Sequence, residues 1–167
     1  MNKCISLILR KIAEEVKDLP ELIFTVGISG SGKSTWINSQ KGYEIVSLDE
    51  IRKSMGNVSD QTKNVNVIEQ AVSKIKNLLS QGKNIIYDAT NVVSLYRTNF
   101  LNSLPPHKRK AKIFEVSPDE AKRRIKKDVA EGKDRSNVPD EVVDRMYENY
   151  LKTINENQLE AEGFEII

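Results

Sequence analysis

The 167-residue sequence has one cysteine, Cys4, and one histidine, His107. A lone cysteine excludes an internal disulfide and a cysteine-based zinc site, and it suits a reducing, cytoplasmic setting. A lone histidine speaks against a catalytic triad and against a His-rich metal centre. Long apolar runs are missing too. Residues 5–9 form the only candidate near the N-terminus, and Arg10 ends it, so neither a signal peptide nor a membrane-spanning helix is expected. With no internal repeat, low-complexity tract or Pro/Gly linker, residues 1–167 read as one domain.

The net charge of +2 does not announce a nucleic-acid partner by itself. The charge is unevenly spread. Lys108, Arg109, Lys110 and Lys112 form one basic cluster, Lys122, Arg123, Arg124, Lys126 and Lys127 form another, and residues 156–165 are acidic. Such runs are solvated helix faces or phosphate-attracting surfaces.

Apolar positions Ile5, Ile8, Leu9, Ile12, Val16 and Leu19 mark a helix that Pro20 closes, an addition of about residues 1–20 before the first strand. Strand candidates follow at residues 22–26, 43–48, 84–87 and 111–116, with a short final one at 164–167. Between them lie helical patterns around residues 67–79, 94–103 and 140–151, and a start at Ser117-Pro118-Asp119-Glu120. Alternating strands and helices predict an α/β fold, a mostly parallel sheet of four to five strands covered on both faces. Ligands of such sheets bind at the C-terminal strand ends, where a Gly-rich loop, Asp49 and Asp88 all fall.

That loop, Gly27-Ile28-Ser29-Gly30-Ser31-Gly32-Lys33-Ser34 followed by Thr35, fills every fixed position of the P-loop pattern. Its glycines let successive N–H groups turn toward phosphate oxygens, and a helix starting near Lys33 adds its positive end. Lys33 reaches the β- and γ-phosphates of ATP, and the Ser34 hydroxyl is a Mg²⁺ ligand. A P-loop NTPase fold is therefore expected.

Asp88 after Ile85-Ile86-Tyr87 is either a metal-linked carboxylate or a turn residue. Asp49 and Arg52 share one face of a starting helix. They are either a proton acceptor with a phosphate clamp, or an N-cap aspartate beside a surface arginine. Residues 124–139 form a basic, polar stretch with Arg135 at its centre, either a closing lid or a solvated loop. No Asn-Lys-x-Asp motif supports a GTPase, and no Leu-Ser-Gly-Gly-Gln stretch a transporter ATPase.

The segments Gly27-Ile-Ser-Gly-Ser-Gly-Lys-Ser-Thr-Trp36, Ser47-Leu-Asp-Glu-Ile-Arg52, Asp88-Ala-Thr-Asn91 with Arg97, and Arg135-Ser-Asn-Val-Pro139 resemble the phage-type polynucleotide 5′-kinases and related small P-loop kinases. The resemblance runs from about residue 21 to 151, with the final Glu162-Gly-Phe-Glu165 also similar to the wider group. It implies that Asp49 is the general base for an acceptor 5′-hydroxyl and that Arg52 engages the acceptor's 3′-side phosphate. Arg135 would be the lid arginine, with Arg124 a second candidate, and Thr90, Asn91 and Arg97 would shape the acceptor side. The expected activity is transfer of the γ-phosphate of ATP, with Mg²⁺, to a DNA or RNA 5′-OH end. A small-molecule hydroxyl kinase and a nucleotide-dependent switch remain as alternatives.

Overall fold

The computed structural model describes residues 3–56, 61–133 and 137–167. The N-terminal stripe forms α1 (Lys3–Lys17), and Pro20 precedes β1 (Glu21–Val26). There follow α2 (Lys33–Ser39), β2 (Glu44–Ser47), α3 (Leu48–Ser54), α4 (Gln61–Ser80) and β3 (Ile85–Asp88). The chain continues through α5 (Ser94–Asn102), β4 (Lys108–Ile113), α6 (Pro118–Ala130), α7 (Asp140–Asn155), α8 (Gln158–Ala161) and β5 (Glu165–Ile166).

The five strands make one sheet in the order β2-β3-β1-β4-β5, every pair parallel. β1 is central and apolar on both faces, as a parallel strand covered from two sides must be. Leu22, Phe24 and Val26 face the larger core with Val67, Ala71 and Ile75 of α4, Phe100 and Leu101 of α5, Ile125 of α6 and Val143 of α7. Phe24 meets Tyr87, Phe100 and Phe164 edge-on, with centroids 5.0, 5.9 and 5.1 Å apart. On the other face, Ile23 and Ile86 pack with Ile37 of α2.

Because β1 sits between β3 and β4, the chain leaves β1 toward one side of the sheet and leaves β3 toward the other. The C-terminal ends of β1 and β3 thus border the crevice where such sheets bind ligands.

Four elements differ from the sequence expectation. β4 starts at Lys108 rather than residue 111, because its basic residues find partners on β1 and at the end of α8: the Lys110 amine lies 2.7 Å from Glu21 Oε1, and Arg109 donates to the Glu162 carbonyl at 2.9 Å. α4 starts at Gln61, before its apolar periodicity begins, and α8 is too short for any period to reveal. β2 stops at Ser47, so Asp49 lies in the first turn of α3 and not at a strand end. Ser117 caps α6 with Pro118 in the first turn, as expected, its hydroxyl accepting from the Glu120 amide at 3.3 Å.

Candidate nucleotide and acceptor site

The loop between β1 and α2 needs its glycines for two separate reasons. Gly30 and Gly32 have φ of +84° and +98°, left-handed values that side-chain-bearing residues rarely adopt. At Gly30, moreover, a Cβ would stand 2.8 Å from the Ala121 carbonyl oxygen of α6. At Gly27 it would stand 2.8 Å from the Phe114 carbonyl oxygen and from Ser31 Oγ. Helix α6 and the end of β4 therefore press directly on the loop.

Within the loop the Lys33 amine donates to the Gly27 and Ile28 carbonyls at 3.0 and 2.8 Å, so its charge lies over the turn. Ser31 Oγ is buried and has no hydrogen-bond partner among the described residues. An orphaned hydroxyl, a cradle with no room for a Cβ and a cation across it together fit a bound phosphate chain. Ser34 and Thr35 occupy the first turn of α2, both exposed.

A second layer bolts this loop to the one after β3. The Gly27 amide donates to the Thr90 carbonyl at 3.0 Å, and the Asn91 side-chain amide donates to the Thr25 carbonyl at 2.9 Å. Thr25 Oγ1 donates to the Ala89 carbonyl at 3.0 Å. Asn91 itself adopts φ +50°, a conformation asparagine tolerates better than most residues. Thr90 and Asn91 thus meet the P-loop through backbone and amide contacts.

Asp88 ends β3 opposite Ser47 of β2. Burial pushes its carboxyl pKa up, while the Lys33 charge and a hydrogen bond from Ser47 pull it back, and Asp49 and Glu50 push it up again. The Ser47 hydroxyl is thereby spent on Asp88, and although Ser47 occupies the N-cap of α3 its side chain makes no capping bond. Lys33, Ser47, Asp49 and Asp88 belong to one electrostatic neighbourhood. The oxygens of Ser34 and Asp88 are hard donors of the kind Mg²⁺ prefers, and Mg²⁺ keeps several waters of its own.

Arg52 Nη1 lies 2.6 Å from Asp49 Oδ1, the two side chains 41% and 64% exposed. The first-turn position and Ser47 at the cap exclude the N-cap reading of Asp49. Both groups face solvent near Asp88.

Arg124 extends from α6 toward the P-loop, donating to the Gly30 carbonyl at 3.2 Å and to Glu120 Oε1 at 2.7 Å. Arg135, the expected lid arginine, lies outside the described residues. The rest of the second basic cluster is locally paired: Lys122 with Asp144, Arg123 with Glu120, Lys126 with Asp140 and Lys127 with Glu131. For these residues the reading as solvated, compensated helix faces holds.

One expectation is corrected. Arg97 does not line the acceptor side, because it is 1% exposed and its guanidinium is committed inward. It grips Glu162 twice at 2.7 Å, donates to the Asn91 carbonyl at 2.7 Å, and reaches Thr153 and Gln158 at 3.2 and 3.3 Å. It holds the Asp88–Asn91 loop from behind. Sequence reasoning gives no role to Ser47 or Glu162, the partners of Asp88 and Arg97. Ser47 carries a local signal, a serine just before the Asp49 turn; nothing local ties Glu162 to Arg97, 65 residues away.

The profile of the AAA_33 family, described as an AAA domain, matches residues 22–152. No curated protein matches the sequence. Among solved structures, a chain of the Pnkp1/Rnl/Hen1 RNA repair complex superposes with a TM-score of 0.73 at 20% identity, covering 83% of this chain and 46% of that one. This chain therefore spans less than half the length of that repair protein. A candidate kinase from Chloroflexus aurantiacus gives a TM-score of 0.63 at 22% identity, covering 75% of each chain. A gluconokinase from Sinorhizobium meliloti gives 0.55 at 16%, covering 89% and 82%. At these identities the likeness is one of fold: a P-loop kinase architecture with a parallel five-stranded sheet.

Proposed function

This chain belongs to the AAA_33 family of AAA domains, and from that premise we propose that it moves the γ-phosphate of ATP to the 5′-hydroxyl of a polynucleotide. The observation that carries the proposal is the adjacency of three groups at the C-terminal ends of β1, β2 and β3. These are the Lys33 cradle, half-buried Asp88 and the exposed Asp49–Arg52 pair. A cradle and a half-buried carboxylate suit a nucleotide with its metal. An exposed carboxylate beside them has work only if something other than the nucleotide arrives.

In this reading the backbone of residues 27–34 and the Lys33 amine orient the phosphates. Asp49 accepts the proton of the attacking hydroxyl, and Arg52, released from Asp49, takes the next phosphate along the acceptor strand. Arg124 stands by the Gly30 carbonyl, where a cation stabilises the charge developing on the transferred group. Arg135, in the segment between α6 and α7, is assigned the same duty, the second half of α6 and that segment together (residues 124–139) acting as the lid. Mg²⁺, held through Ser34 and Asp88, would neutralise charge on the β- and γ-oxygens. Thr90 and Asn91 fix the rim between nucleotide and acceptor.

A small-molecule hydroxyl kinase is the second reading, favoured by one observation: the chain matches the gluconokinase over most of both lengths. The two readings separate at Arg52. Initial rates should be compared for a nucleoside and for a dinucleotide whose 5′-OH residue carries a 3′-side phosphodiester. The polynucleotide reading expects the dinucleotide to react with a KM at least about tenfold lower, as one charge-assisted contact warrants. It also expects Arg52→Ala to erase that advantage. Equal rates on both acceptors, or faster turnover of a sugar, would favour the small-molecule reading.

A further inference from the structure

A buried ion pair is a poor source of stability. Taking both charges out of water offsets their attraction, and apolar residues of similar volume often serve a core as well. Arg97 and Glu162 are such a pair, their side chains 0% and 8% exposed. What an apolar pair lacks is direction. Arg97 Nε and Nη2 donate to the two Glu162 carboxylate oxygens, each at 2.7 Å, and this fork fixes the plane of the guanidinium. Glu162 is itself tied down. The Ser94 hydroxyl donates to its Oε1 at 2.6 Å, and Arg109 of β4 donates to its carbonyl at 2.9 Å. The remaining arm of Arg97, Nη1, is thereby aimed at the Asn91 carbonyl, 2.7 Å away. It also meets the Thr153 hydroxyl at 3.2 Å, which donates in turn to the Val92 carbonyl of the same loop at 2.9 Å.

From Asn91 the contacts lead into the phosphate cradle. Asn91 holds a left-handed φ of +50°, and in that conformation its side-chain amide donates to the Thr25 carbonyl at 2.9 Å. The Thr90 carbonyl next to it accepts from the Gly27 amide at 3.0 Å. Gly27 in turn accepts from the Lys33 amine at 3.0 Å. It has no room to shift on its other side, where a Cβ would stand 2.8 Å from both the Phe114 carbonyl oxygen and Ser31 Oγ. A displacement at Asn91 therefore reaches Lys33 and Ser31 through direct hydrogen bonds and close contacts.

We propose that Arg97 is a positioning residue for the nucleotide. Clamped by Glu162, it sets the Asn91 turn and, through that turn, holds the Gly27–Lys33 cradle in the geometry that receives phosphates. The inference rests on the nucleotide half of the proposed function and is independent of which hydroxyl accepts the phosphate.

The test is calorimetric titration of the full chain with ATP and Mg²⁺, without acceptor, at a temperature where every variant is folded. Arg97→Lys keeps a charge for Glu162 but lacks the fork that serves Glu162 and Asn91 together. Arg97→Met combined with Glu162→Leu removes both charges and leaves an apolar interior. Both proteins should bind ATP at least about tenfold more weakly, the order of one lost orienting hydrogen bond. Asn91→Ala should weaken ATP comparably, and adding Arg97→Lys to it should cost little more, because the two act through one turn. Ile75→Ala opens a cavity in the α4 side of the core, so it should lower stability yet bind ATP as the wild type does. Wild-type affinity in either Arg97 protein would overturn the proposal. So would fully additive losses at Asn91 and Arg97, or an equal loss in Ile75→Ala, which would make the effect one of stability alone. A wild-type chain that binds no ATP would overturn the nucleotide reading and this inference with it.

Discussion

Asp88 carries a cost in the fold that Lys33 and Ser47 offset only in part. Its folded-state pKa is raised chiefly by burial, so ionisation destabilises the native state: the stability this group allows is fullest in acid and is lost as pH rises through the raised value. Asp88→Asn keeps an acceptor for Ser47 and removes the charge, so it should melt above wild type at neutral pH without ligand. The same variant should lose most of the extra stabilisation that Mg²⁺-ATP gives the wild type, a combination calorimetry reads directly. Glu21 runs the other way. Its hydrogen bond from Lys110 holds its pKa below the ordinary 4.5, so its stabilisation is present above that value and is lost as pH falls. Glu21→Gln should flatten that acid-side loss in denaturant titrations. Arg97→Ala strands Glu162 in the interior and should cost about 3–5 kcal/mol by urea unfolding, whereas exposed Arg123→Ala should cost well under about 1 kcal/mol.

At the scale of elements, the P-loop is where backbone conformation and packing coincide. Gly30→Ala combines a left-handed φ with a 2.8 Å approach to the Ala121 carbonyl, so it should destabilise by about 1–3 kcal/mol and weaken nucleotide binding together. Thermal shift with and without ATP checks both. The elements legible in the sequence were those whose cause is local. The P-loop shows because its glycines sit at fixed spacing, α6 because Ser117-Pro118 opens it, and β1 and β3 because short apolar runs end at a turn. β4 was read three residues late, since Lys108–Lys110 gain their partners from Glu21 and Glu162, distant in sequence. Arg97 differs from expectation for the same reason: nothing near it announces that Glu162 will pair with it in the interior.

For the whole molecule, the alternation of strands and helices was enough to expect a parallel sheet and to put Asp88 and the P-loop at one edge. The strand order follows from crossovers that composition does not encode. The outward stripe of α1 was visible as a periodicity, but its exposure is a three-dimensional fact. The central claim remains that the exposed Asp49–Arg52 pair serves a nucleic-acid acceptor. The most direct measurement incubates the protein with γ-labelled ATP, Mg²⁺ and 5′-OH oligonucleotides of DNA and RNA, beside sugars and nucleosides at equal concentration. Label should appear on the oligonucleotide 5′ ends, and Asp49→Ala should abolish it while binding ATP normally. Label on a sugar or nucleoside with none on any 5′ end would contradict the account.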